Sequence, residues 1–174
     1  MEKQKQLISD PSDKAVDLAS HVRPLRQPTE RLLLLNGPNL NMLGHRDPAQ
    51  YGTFTLADVE NLVCETAGQF GFETDCFQSN HEGDLIDRIH AAMMLSDGIL
   101  LNAGALTHTS YALRDAIELC GLPVMEIHIS DIQKRELFRQ VSVIHDVCHG
   151  QVAGLGLDSY RLATEQICRY LKGK

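Results

Sequence analysis

The chain has 174 residues, 43% hydrophobic and 22% charged, a size and balance that fit one folded core and exclude the disordered class. Its net charge of -7 leaves no overall basic field to hold nucleic acid or an anionic membrane surface. No stretch nears the roughly 18 apolar residues that span a bilayer, and the start lacks the apolar core of a signal peptide.

Five cysteines are spread along the chain without a Cys-x-x-Cys pair, which argues against a disulfide framework or a zinc ribbon. A reducing, cytoplasmic location is the expectation. Residues 1–30 mix both charge signs, carry Pro11, Pro24 and Pro28, and show one weakly amphipathic patch at 15–22. They read as an extension outside the core, with room for a short helix; the bolder alternative is an arm docked on a neighbouring subunit.

From residue 31 to 174 the pattern becomes that of a single domain, short apolar runs alternating with segments of helical period. The run 32–35, closed by Asn36-Gly37-Pro38, predicts a first strand buried on both faces. Thr55 caps a first predicted helix with Leu56, Val59, Leu62, Val63, Thr66 and Phe70 inward and Gly71 at its stop. Residues 74–77 predict a second strand, and Leu85, Ile86, Ile89, Ala92 and Met93 a second helix. A third strand is expected at 98–101, ending at Asn102. A third helix follows from about Thr109, with Ala112, Leu113, Ala116 and Ile117 inward and Gly121 after it. Residues 124–129 predict a fourth strand, 133–139 a short polar helix, part of 147–153 a fifth strand, and 160–171 the last helix. Strands alternating with helices are the mark of βαβ units. The fold class expected is α/β, a flavodoxin-like doubly wound five-stranded parallel sheet with helices on both faces.

Ligands bind open α/β sheets at the carboxyl ends of the strands. The polar residues found just past the apolar runs are Asn36 and Asn39, then Asn102 and His108, then His128 and Ser130. Residues 37–52 form a long connection without apolar period, as lids often are, and it carries Arg46 and Tyr51. From the residues alone this pair reads first as a solvated Arg beside a Tyr that anchors the loop.

Residues 36–52, NGPNLNMLGHRDPAQYG, closely resemble the opening motif of type II dehydroquinases. Residues 101–110, LNAGALTHTS, followed by Ala112-Leu113-Arg114-Asp115, are similar to that family's second motif. EIHIS at 126–130, with Arg135-Glu136 and Phe138-Arg139 after it, resembles the third. The resemblance runs from about Leu32 to Leu171 with the motifs in order.

It implies a lyase, 3-dehydroquinate dehydratase, that takes 3-dehydroquinate to 3-dehydroshikimate through an enolate. The pathway is either shikimate and chorismate biosynthesis toward aromatic amino acids, or quinate catabolism. The matching positions make Tyr51 the base, with Arg46 and Arg139 stabilising its phenolate. Asn39 supports the enolate through a held water, and His128 is the general acid, oriented and charged by Glu126. Asn102 and the backbone of Ile129 and Ser130, at the head of the short helix, meet the substrate carboxylate. His108 and Arg139 meet its hydroxyls. Family resemblance further implies trimers grouped into a dodecamer, with Asp115 lent across a subunit interface, and chemistry with neither cofactor nor metal.

Asp131 stands where the family usually has Asn, which brings a negative charge toward an anion site and puts substrate affinity in question. His145 stands where Ser is common. The fold alone also permits a binding module for FMN or another phosphorylated ligand, though no convincing phosphate cradle is legible. A family member that has lost turnover and serves only as an assembly is the other alternative.

Overall fold

The computed structural model describes residues 30–45 and 52–173. The expected extension with its amphipathic patch, and the two loop residues Arg46 and Tyr51, lie outside the described residues.

Five parallel strands, β1 (Arg31–Asn36), β2 (Glu73–Gln78), β3 (Gly98–Asn102), β4 (Val124–His128) and β5 (Gly150–Ala153), stand in the order β2-β1-β3-β4-β5. This is the flavodoxin-like doubly wound order, which reverses between β1 and β3. Successive side chains of a strand point to opposite faces, and β1 shows what that does. Leu32 and Leu34 join a core with Val59, Val63, Tyr160 and Ile167, while Leu33 and Leu35 join a second core with Leu85, Ile89, Leu113 and Ile117. Helices α1 (Leu56–Gln69) and α4 (Asp158–Lys172) therefore cover one face, and α2 (Glu82–Leu95) and α3 (Tyr111–Cys120) the other. Burial of the first strand on both sides explains why it reads as an unbroken apolar run rather than an alternating one. Among the described residues no helix is long and apolar enough to cross a membrane.

Local signals set most boundaries where the sequence expects them. Thr55 forms a full capping box with Asp58, and both Gly71 and Gly121 adopt positive φ just past helix ends. The differences are informative. The third helix starts at Tyr111 rather than Thr109, because residues 104–108 first make a 3-10 turn and Ser110 supplies the capping oxygen. Ala112, expected inward, is exposed, and β4 ends one residue early, at His128. Leu56, Leu62 and Phe70 are half-buried at the edge of the α1 face.

The short helix expected at 133–139 does not form. Two 3-10 turns, Ile132–Lys134 and Leu137–Arg139, flank an extended break at Arg135 and Glu136. Side chains take over the bonds that a helix would have made: Gln133 Nε2 donates to the Gln140 carbonyl at 3.1 Å, and Gln140 Nε2 to the Arg135 carbonyl at 2.9 Å.

Candidate active site

The carboxyl ends of β1, β3 and β4 bring Asn36, Asn102 and His128 to one edge of the sheet. Asn36 and Asn102 face each other in register on neighbouring strands. The hydroxyl of Tyr160, from the first turn of α4, joins them: it donates to Asn36 Oδ1 at 2.7 Å and accepts from Asn102 Nδ2 at 2.7 Å. Burial pushes the Tyr160 phenol well up, against a smaller opposing effect of the Asn102 bond. Tyr160 is thus a neutral strut rather than a base. The loops after β1 and β3 press together here, and a Cβ at Gly37 would stand 2.5 Å from the Ala103 carbonyl oxygen. Only glycine permits that approach.

Behind the edge lies a buried carboxylate. Glu126 is fully enclosed and its Oε1 accepts hydrogen bonds from Thr107 Oγ1 at 2.5 Å, Ser142 Oγ at 2.7 Å and His128 Nε2 at 2.8 Å. Its Oε2 accepts from Gln151 Nε2 at 2.8 Å and lies 3.5 Å from His145 Nδ1. Burial alone would push this carboxyl up. The His128 hydrogen bond and charge, with the Thr107 and Ser142 hydroxyls, outweigh it and hold Glu126 down at about 2. An ionised carboxylate only accepts, so the Nε2 proton of His128 is committed to Glu126 and Nδ1 is the nitrogen left to exchange a proton with a ligand. Glu126 and His128 are two residues apart on a strand, so their side chains share a face.

In front of the edge is a cleft. Asn39, Asn102, His108, His128, Ile129 and Ser130 line it, together with Arg135 and Arg139. Asn39 takes the left-handed conformation, φ 67° and ψ 5°, which Asn tolerates better than most residues, and its N–H donates to Asn80 Oδ1 at 2.8 Å. His108 binds the Val141 carbonyl through Nδ1 at 2.7 Å, which leaves its Nε2 for the cleft. One 3-10 turn thus turns Thr107 inward to Glu126 and sends its neighbour His108 to the cleft. Both arginines contact Glu136 Oε2, Arg135 Nε at 3.4 Å and Arg139 Nε at 3.2 Å. Both guanidinium groups line the same cleft from this broken segment.

Ile129 and Ser130 line the cleft, but a three-residue 3-10 turn gives them no helix head. Asp131, expected to bring charge toward the anion site, spends its two oxygens on its own turn. One oxygen accepts from the Gln133 N–H at 3.0 Å, the other pairs with Lys134 at 3.1 Å, and Asp131 does not line the cleft. Asp115 is exposed on α3 and lies outside the cleft of its own chain. Five contributors have no role in the sequence reading: Arg135, Thr107, Ser142, Gln151 and Tyr160. Arg135 stands inside the third motif and Thr107 inside the second, so both positions were visible. The other three come from separate segments, and nothing in their spacing foretells that they converge.

A doubly wound sheet with an ionised carboxylate and a histidine at its carboxyl edge, facing two guanidinium groups across a cleft, defines an α/β enzyme of flavodoxin-like fold suited to a small anionic substrate. The comparisons with known proteins agree. The family model for dehydroquinase class II matches residues 30–168. The chain is 54% identical over 144 residues to the 3-dehydroquinate dehydratase of Anoxybacillus flavithermus, covering 83% of this chain and 97% of that one. It is 52% identical over 142 residues to that of Gloeobacter violaceus, covering 82% and 89%. The crystal structure of type II dehydroquinase from Butyrivibrio crossotus superposes with a TM-score of 0.77 at 42% identity, covering 79% of this chain and 96% of that one. The chain belongs to the class II dehydroquinase family.

Proposed function

We propose that the protein converts 3-dehydroquinate to 3-dehydroshikimate, with Tyr51 as base and His128 as general acid. The observation that carries this reading is the buried Glu126–His128 pair opening onto a cleft with two arginines.

The ketone of the substrate acidifies the neighbouring carbon. Tyr51 takes that proton, an enolate forms, and expulsion of the adjacent hydroxyl gives a conjugated enone. A phenol has a pKa of about 10, so in water roughly one in a thousand is ionised at pH 7. Arg46, with Arg139, supplies the positive charge that favours the phenolate. Arg135 joins them on the strength of its place in the cleft. Asn39 holds a water against the enolate oxygen, a donor placed before the charge develops. His128 gives the Nδ1 proton to the leaving hydroxyl, with the Glu126 carboxylate as counter-charge to the imidazolium. Asn102 and the backbone of Ile129 and Ser130 hold the substrate carboxylate, and His108 and Arg139 its hydroxyls. Apart from that held water, these steps use side chains and backbone of the protein itself.

Residues 31–174 act as one catalytic domain, in trimers grouped into a dodecamer. In support, Tyr111, Asp115 and Leu119 recur at four-residue spacing along α3, so they share one face, and all three are exposed, the two apolar ones at 67% and 64%. On this reading Asp115 completes the cleft of a neighbouring subunit. A cytoplasmic place in shikimate biosynthesis or in quinate breakdown fits equally, since both share this step.

Purified protein mixed with 3-dehydroquinate should develop the ultraviolet absorbance of a conjugated enone. Tyr51→Phe should lower turnover roughly a thousandfold while substrate still binds by calorimetry. Turnover at the wild-type rate in that variant would remove Tyr51 from the role of base.

A further inference from the structure

Cys64 and Cys76 stand together in the fold, one on α1 and the other on β2. Their sulfurs lie 3.9 Å apart. Cys64 is the exposed thiol of the chain, and Cys76 is half-buried against the core between α1 and the sheet. A disulfide has an S–S length of about 2.05 Å, so closing this pair moves the two sulfurs together by roughly 1.9 Å. Neither side chain touches the cleft, and nothing in the proposed reaction uses either of them.

We infer that Cys64 and Cys76 form a reversible disulfide when the protein meets a hydroperoxide, stapling α1 to the edge strand β2. The order of events follows from access. The exposed Cys64 sulfur, as thiolate, attacks a peroxide oxygen: an S–O bond forms, the O–O bond breaks, and the sulfur is oxidised to a sulfenic acid as the peroxide leaves as alcohol or water. Cys76 then attacks the Cys64 sulfur. The S–S bond forms, the S–O bond breaks, and the hydroxide that leaves takes the Cys76 proton as water. Two thiols and one hydroperoxide give one disulfide, one alcohol (or water) and one water. Burial, then the neighbouring Cys64, with smaller effects of Glu60 and Asp75, keep Cys76 protonated well above the ordinary thiol range. Cys76 is therefore poorly disposed to react first, and suited to act only once a sulfenic acid stands beside it. An excess of a small thiol such as glutathione reopens the bond by exchange.

The staple has a mechanical consequence. β2 lies at the edge of the sheet and pairs with β1 alone, and an edge strand is the part of a sheet least held by its neighbours. Fixing it to α1 restrains the unfolded chain, as a short cross-linked loop does. The ends of β1, β3 and β4 that build the cleft stay untouched.

The test uses the full-length protein treated with hydrogen peroxide, quenched with iodoacetamide and digested with trypsin. No Lys or Arg lies between Arg46 and Arg88, so both cysteines fall in one peptide, residues 47–88. That peptide should lose two hydrogens and take up no alkyl group. A second digestion after glutamate cuts at Glu65 and Glu73, and should leave two fragments joined until reductant is added. The oxidised protein should melt higher by on the order of 5 °C, and Cys64→Ser, at an exposed position, should abolish both changes. Independent alkylation of both thiols, over-oxidation of Cys64 with Cys76 still free, or a disulfide between two chains would each overturn the inference. An unchanged melting temperature in the closed form would remove the stapling role.

Discussion

Glu126 concentrates more of the site on itself than any residue that would touch substrate. Four hydrogen bonds from four segments end on its two oxygens. Its carboxyl, held down at about 2, ties the acid stability of the fold to the integrity of the site. A group whose folded pKa is depressed contributes stability above its unfolded pKa, about 4.3 for Glu, and loses it as pH falls through the folded value. The urea midpoint should therefore decline between about pH 4 and pH 2 more steeply in wild type than in Glu126→Gln. At pH 7 that variant should be less stable by roughly 1 to 3 kcal/mol, because the amide cannot accept from every hydroxyl and ring N–H now aimed at it. Parallel pH curves for the two proteins would contradict this account. At this scale the sequence placed residues at the sheet edge where polar chemistry and strand ends coincide, at Asn36, Asn39, Asn102, His108, His128 and Ser130, while Arg139, in a turn beyond β4, was reached only through the resemblance. Ser142 and Gln151 escaped, and the role of Thr107 inside its motif went unread, because each contributes one hydrogen bond to a carboxylate in another segment, and a lone hydroxyl or amide carries no periodic signal.

Elements whose start and stop have their own chemistry were read well. α1 shows it: Thr55 Oγ1 accepts from the Asp58 N–H at 3.3 Å, and Asp58 Oδ2 accepts from the Thr55 N–H at 2.8 Å, the reciprocal pair that a Thr-x-x-Asp spacing suggests. Thr55→Ala should cost about 1 kcal/mol, seen as a lower urea midpoint with an unchanged slope. A variant as stable as wild type would mean that packing of Val59 and Val63 alone fixes the helix start. Residues 132–140 failed to read for the opposite reason. Their composition suits a helix, yet Arg135 and Glu136 are extended, and the bonds that hold them run from two Gln side chains to distant carbonyls. Local propensity predicts an unbroken ladder of backbone bonds, and here two short turns and the two Gln side chains stand in for it. The outcome bears on the site, since both Arg135 and Arg139 reach Glu136 and line the cleft from this broken segment.

For the molecule as a whole, the sheet order decides where the site is, and the surface it leaves bare decides what the chain does next. α3 buries Leu113, Ala116, Ile117 and Cys120 and turns Tyr111, Asp115 and Leu119 outward. A stripe with two large apolar side chains and a carboxylate between them is costly to leave in water, and it lies on the helix that follows the His108 turn. If this face packs on a neighbouring subunit, assembly and substrate binding separate by variant. Leu119→Glu puts a charge into the contact and should shift the protein to smaller species in sedimentation velocity, with turnover per chain falling as they form. Asp115→Ala should leave the assembly intact yet raise KM about tenfold or more, the effect of removing one charged hydrogen-bonding partner. Should Leu119→Glu remain fully assembled and active, the outward face of α3 has no partner. Should Asp115→Ala bind substrate as wild type does, the neighbour's carboxylate has no part in the cleft, whatever the assembly.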